Sequence, residues 1–69
     1  MKYEDKVRDI GEKIKSVRLE KGLTQLDLAV KCNIEQSSLA RIESGRTNPT
    51  IITLFTIAEA LELEVKSLL

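Results

Sequence analysis

Apolar residues recur early in the chain at Val7, Ile10, Ile14 and Val17, and these spacings of three, four and three put them on one stripe of a helix. The stripe predicts a first helix over residues 4–21, closed by Gly22, whose other sides alternate Lys with Glu or Asp as a solvated face. Thr24 followed by Asp27 has the form of a capping box, in which a hydroxyl and a carboxylate satisfy backbone donors left over at a helix start. It predicts a second helix over residues 25–32 with Leu28, Ala29 and Cys32 facing inward, and Asn33 supplies a residue that tolerates the left-handed backbone of a sharp turn. Past an inward Ile34, Leu39 and Ile42 predict a third helix over residues 36–44, stopped by Gly45. Thr50 is placed to cap a fourth helix over residues 50–61, with Ile51, Leu54, Ile57, Ala58 and Leu61 as its inward stripe. Val65, Leu68 and Leu69 predict a short fifth helix over residues 64–69. The expected fold class is all-α, a compact five-helix bundle forming a single domain over residues 1–69.

The pattern leaves a surplus. Phe55 and Ile52 fall off the fourth stripe, and Phe55, Leu63, Val65 and Leu69 are more apolar side chains than one small domain covers at its C-terminal end, which predicts a partner on that patch. Size points the same way, because a chain of 69 residues buries only about 60% of its unfolded surface and gains from association. No apolar run approaches the ~20 residues of a membrane span, and the first five residues lack the apolar segment of a signal peptide, so a cytoplasmic protein with no membrane contact is expected. The single Cys32 has no partner for an internal disulfide and reads first as a small buried apolar residue, with a redox-sensing or crosslinking role as the alternative. Histidine is absent, which excludes a Cys/His zinc site, and no cofactor or small-molecule ligand is expected. One Phe, one Tyr and no Trp provide no aromatic platform on which single-stranded bases stack.

Residues Leu23 to Arg46 carry the chemistry. The third predicted helix leaves Gln36, Ser37, Ala40 and Arg41 on its outer side, a polar face able to present donors and acceptors. The T-Q-L-D-L-A start at Thr24, the small turn, and the S-S-L-A-R-I-E-S-G ending at Gly45 resemble the helix-turn-helix of the Cro/cI repressor family, which includes phage repressors and the controller proteins of restriction–modification operons. The likeness runs from about Ile14 to Leu69. It implies a lambda-repressor-like fold in which helices 2 and 3 form the motif, and a homodimer on a pseudo-palindromic double-stranded DNA operator with helix 3 in the major groove. The resemblance also implies that Gln36 and Ser37 stand at base-reading positions, and that Arg18 pairs with Glu43 to tie helix 1 to helix 3. At Glu62 the chain departs from the family, which often has Gly there to end a helix.

The residue types suit that role. A glutamine bonds N6 and N7 of adenine and an arginine O6 and N7 of guanine, so Gln36, Ser37 and Arg41 are candidate base contacts. Glu35 either caps the third helix or accepts from cytosine N4. Ser38 reaches a phosphate or a base, or bonds locally at the helix start. Gln25 at a helix N-terminus, with Arg46, Thr47 and Asn48 beyond helix 3, are candidate phosphate contacts, Lys31 being a weaker one. Phe55, Leu63, Val65 and Leu69 are the candidate dimer interface.

Charge qualifies the reading, because eleven basic and eleven acidic residues cancel where DNA-binding domains usually carry a positive excess. Distribution matters more than the sum: residues 50–69 hold one Lys against three Glu, so the acidic surplus sits at the C-terminal end. An antitoxin-like interaction module on the same fold is the alternative, and it would show no salt-sensitive DNA binding. No catalytic residues are assigned, since carboxylates scattered over helix surfaces and a buried Cys32 assemble no nucleophile–base set.

Overall fold

A computed structural model describes residues 2–69. Four helices follow in order, α1 (Tyr3–Glu20), α2 (Gln25–Cys32), α3 (Gln36–Glu43) and α4 (Ile51–Ala60), and a 3-10 turn spans Val65–Ser67. The expected fifth helix over residues 64–69 is therefore corrected to a single 3-10 turn. Its bonds run from Ser67 N–H to the Glu64 carbonyl and from Leu68 N–H to that of Val65, and so short a segment, held by one buried side chain at Leu68, has no length for an α-helical ladder. The second predicted helix has the observed bounds, the third ends one residue earlier than expected, and both ends of the first and fourth differ by one residue.

One side chain from each helix fills the centre: Ile14, Leu28, Leu39 and Ile57 are wholly buried, together with Leu61 just past α4. α1 packs on α3, α2 packs on both α3 and α4, and the 3-10 turn closes over α4. Two members of the predicted stripes fall outside this core. Val7 is half-buried, and Ile51, at the first residue of α4 and a turn ahead of buried Leu54, is exposed.

Starts and stops follow local chemistry. Thr24 Oγ1 accepts from Asp27 N–H at 3.0 Å while the Asp27 carboxylate accepts from Thr24 N–H at 2.9 Å, completing the capping box. Hydrogen bonding to its carboxylate, from the Thr24 backbone N–H foremost and then from the Thr24 side chain, holds the Asp27 carboxyl below the usual carboxylate range. Thr50 Oγ1 likewise accepts from Thr53 N–H at 3.1 Å at the start of α4. All four helices end in one way, with a left-handed residue and an N–H that reaches back five residues: Gly22 before Leu23, Asn33 before Ile34, Gly45 before Arg46 and Glu62 before Leu63. Glu62 at φ +60 thus stops α4 sharply where a glycine would be conformationally easier. Replacing Glu62 with glycine is expected to raise stability by about 0.5–1 kcal/mol, read as a higher thermal midpoint, because it removes Cβ strain and only a long, exposed contact to Lys21 at 3.6 Å.

Gly11 has a different reason to be glycine. It is buried inside α1, and a Cβ there would lie 2.3 Å from the Ile42 carbonyl oxygen and 2.9 Å from that of Glu43. The backbone of α1 therefore crosses directly over the last turn of α3.

Candidate nucleic-acid interface

α3 is fixed from behind. Leu39 and Ile42 anchor its inner side, and its end is held by Glu43, whose carboxylate meets Arg18 of α1 in a two-pronged pair. Arg18 Nε donates to Oε2 at 2.6 Å and Nη2 to Oε1 at 3.0 Å, with both side chains almost fully buried. Arg18 Nη1 also donates to the Leu23 carbonyl at 2.7 Å, and Gln25 Nε2 donates to Glu43 Oε1 at 3.1 Å. One carboxylate thus ties α1, the loop after it, the first residue of α2 and the last residue of α3, and every buried side-chain N or O atom among the described residues has a hydrogen-bond partner. In this arrangement the Gln25 amide is turned partly inward.

The outer side of α3 is open. Gln36, Ser37 and Arg41 are exposed, and Ser38 is half-buried with its hydroxyl 3.5 Å from Arg41 Nη2, a weak local contact. Glu35 occupies the N-cap position of α3 with extended backbone, yet its side chain makes no capping bond, which corrects the capping half of the expectation. Its carboxylate points to solvent.

The loop after α3 folds back onto that helix. Arg46 N–H donates to the Arg41 carbonyl at 2.9 Å, and left-handed Gly45 brings the chain against Arg8, where a Cβ would sit 3.1 Å from the Arg8 Cα. As a result Ser38 and Arg41 share a shallow cavity of about 260 Å³ with Thr47, Asn48 and Pro49. Arg46, Thr47 and Asn48 line a second depression with Tyr3, Glu4 and Val7 of α1. Arg41 and Ser38 therefore meet the candidate phosphate contacts Arg46, Thr47 and Asn48 along one edge. Lys31 does not join them, because it borders a depression with Glu59 and Glu62 on the α4 side.

At the C-terminal end, Phe55 and Leu69 are exposed, whereas Leu63 and Val65 are half-buried against the core. Phe55, Leu63 and Val65 line a shallow cavity of about 550 Å³ rimmed by Glu59, Glu64 and Lys66. Leu69 is held elsewhere, its carbonyl accepting from Lys6 Nζ of α1. Ile52 is more exposed than any of the four and extends the apolar surface along α4. Burial raises the pKa of the Cys32 thiol, in keeping with its position in the core.

Sequence reasoning missed two of these features. Gly11 carried a signal, since a glycine inside a helix costs about 1 kcal/mol relative to alanine and so asks for a packing reason. The Gln25–Glu43 bond carried none, because it joins residues from different helices.

A helix-turn-helix family model matches residues 14–68. The chain is 44% identical over 59 residues to the immunity repressor protein of Bacillus phage phi105, covering 86% of this chain and 41% of that protein, so it spans less than half of that relative. The restriction–modification controller protein C.AhdI from Aeromonas hydrophila superimposes with a TM-score of 0.88 at 29% identity, over 94% of this chain and 97% of that one. The controller protein C.Esp1396I, solved as a tetramer with its natural 35 base-pair operator, matches with a TM-score of 0.83 at 36% identity, over 91% of this chain and 83% of that one.

Proposed function

The chain belongs to the helix-turn-helix family of transcriptional regulators, and from that membership we propose that it binds a pseudo-palindromic operator in double-stranded DNA as a homodimer, with α3 in the major groove. The observation that carries the reading is the two-sidedness of α3. Its inner side is locked by Leu39, Ile42 and the Arg18–Glu43 pair, and Gln36, Ser37 and Arg41 stand free on the outside. A groove about 12 Å wide admits one helix, whose leading side chains then reach base edges. Gln36, Ser37, Arg41 and Glu35 are proposed to read bases. Arg46, Thr47 and Asn48 hold phosphates beside them, as do the start of α2 at Gln25 and the hydroxyl of Ser38.

Selection of bound duplexes from a random pool tests the proposal. Symmetric half-sites separated by about one helical turn, ~34–36 Å between centres, are expected. Gln36→Ala and Arg41→Ala should relax base preference by about 1–3 kcal/mol at one position each, whereas Arg46→Ala should weaken all duplexes alike and lower the salt slope by about one. Equal losses on every duplex for all three variants would overturn the assignment of roles. Absence of salt-sensitive binding to any duplex would instead favour the antitoxin-like interaction module.

Dimerisation is proposed through Phe55, Leu63 and Val65, with Leu69 outside their cavity beside Lys6 of α1, because a two-fold contact there covers the exposed apolar side of α4 and doubles the cations offered to DNA. Sedimentation should show a dimer at on the order of tens of micromolar protein, and Phe55→Glu, which places a charge in the contact, should give a folded monomer. A wild-type monomer at that concentration would rule the interface out.

A further inference from the structure

We infer that Glu35 sets specificity by exclusion: its carboxylate opposes duplex DNA in general and is accommodated only where a base edge presents an amino group. The inference rests on the DNA-binding reading above and concerns the charge on the same face. Thr24 and Thr50 use their side chains to cap their own helices, but Glu35, at the corresponding position of α3, does not. Among the described residues it has neither a side-chain hydrogen bond nor an ion-pair partner, and it is exposed beside Gln36 and Ser37.

The charge on this edge is sparse, which makes one carboxylate count. Glu43 is neutralised by Arg18, Arg8 is paired with Asp5, Lys31 borders the α4 side and Glu4 lies beside Arg46, so Arg41 and Arg46 are the cations of the α3 edge without an ion-pair partner among the described residues, and Glu35 is the carboxylate at the start of α3 that opposes them. An ionised carboxylate only accepts hydrogen bonds. Major-groove donors are cytosine N4 and adenine N6, while guanine O6 and N7 and thymine O4 are acceptors that face it with like polarity. Each base pair carries one such amino group, on one strand or the other, so Glu35 weakens contact with phosphates everywhere and finds relief where the strand within its reach has C or A rather than G or T.

The test compares wild type, Glu35→Gln and Glu35→Asp on a random-sequence duplex and on the tightest duplex recovered by selection, across a range of salt. Glu35→Gln is expected to bind the random duplex about five- to tenfold tighter per subunit at ~0.1 M salt, with a salt slope steeper by nearly one. Its ratio of selected to random affinity should fall at least about fivefold. Glu35→Asp keeps the charge, so its random-duplex affinity should stay within about twofold of wild type while affinity for the selected duplex drops with the shorter reach. Unchanged random-duplex affinity in Glu35→Gln would overturn the inference and leave DNA binding intact, as would Glu35→Asp behaving like Glu35→Gln. A wild-type protein that binds neither duplex in a salt-dependent way would remove the proposed function itself, and the inference with it.

Discussion

Gly11→Ala is expected to lower the thermal midpoint by roughly 8–16 °C, the shift that a loss of about 2 kcal/mol produces in a domain of this size. In a solvated helix the same change stabilises by about 1 kcal/mol, because alanine loses less backbone entropy than glycine. Here the added methyl would sit 2.3 Å from the Ile42 carbonyl oxygen and 2.9 Å from the Glu43 oxygen, and those are backbone atoms of α3 that cannot rotate aside. Either α1 lifts off α3 or α3 moves, and overpacking of this kind typically costs about 1–3 kcal/mol and occasionally more. The sign is diagnostic. Ser16→Ala, at an exposed position in the same helix, should leave the midpoint level or slightly raised, and a Gly11→Ala protein more stable than wild type would show that the two helices do not cross so closely. Because Ile42 and Glu43 end the helix proposed to enter DNA, a folded Gly11→Ala protein should also lose affinity for its selected duplex.

Most of the framework is legible in the sequence. The stripes on α1 and α4, the capping box at Thr24 and Asp27, and stops at Gly22, Asn33 and Gly45 are local signals, each written within a few residues. Glu62 ends α4 in the same left-handed conformation without the residue type that announces it, so tertiary packing of Leu61 and Leu63 overrides local preference there. The expected fifth helix fails for a related reason: Val65, Leu68 and Leu69 have helical spacing, but six residues after a sharp turn close only one 3-10 turn. Of the candidate site, the outward set on α3 follows from the stripe that must face inward. The inward turn of the Gln25 amide does not, nor does the free carboxylate of Glu35, since both depend on where other helices lie.

Glu43→Ala should have the largest effect of any single substitution away from the apolar core. It leaves the Arg18 guanidinium buried with the Leu23 carbonyl as its remaining partner, and breaking a buried pair from one side costs about 3–5 kcal/mol. Total stability for a domain of this length is roughly 3.5–10 kcal/mol, so a large share of Glu43→Ala molecules should be unfolded at room temperature, as circular dichroism would show. Arg18→Ala should be similarly damaging, because it strands the carboxylate with Gln25 alone. Removing both charges separates stability from geometry. Arg18→Met with Glu43→Leu fills the space with apolar volume and should recover most of the thermal midpoint, since desolvation offsets much of what the pair gains from attraction. Its expected deficit lies in DNA binding: apolar packing is non-directional, whereas the two-pronged pair and the bond to Gln25 fix the angle between the start of α2 and the end of α3. A double variant with wild-type stability and weaker binding to the selected duplex would assign the pair to geometry. One that binds as tightly as wild type would leave it a structural relic of the core.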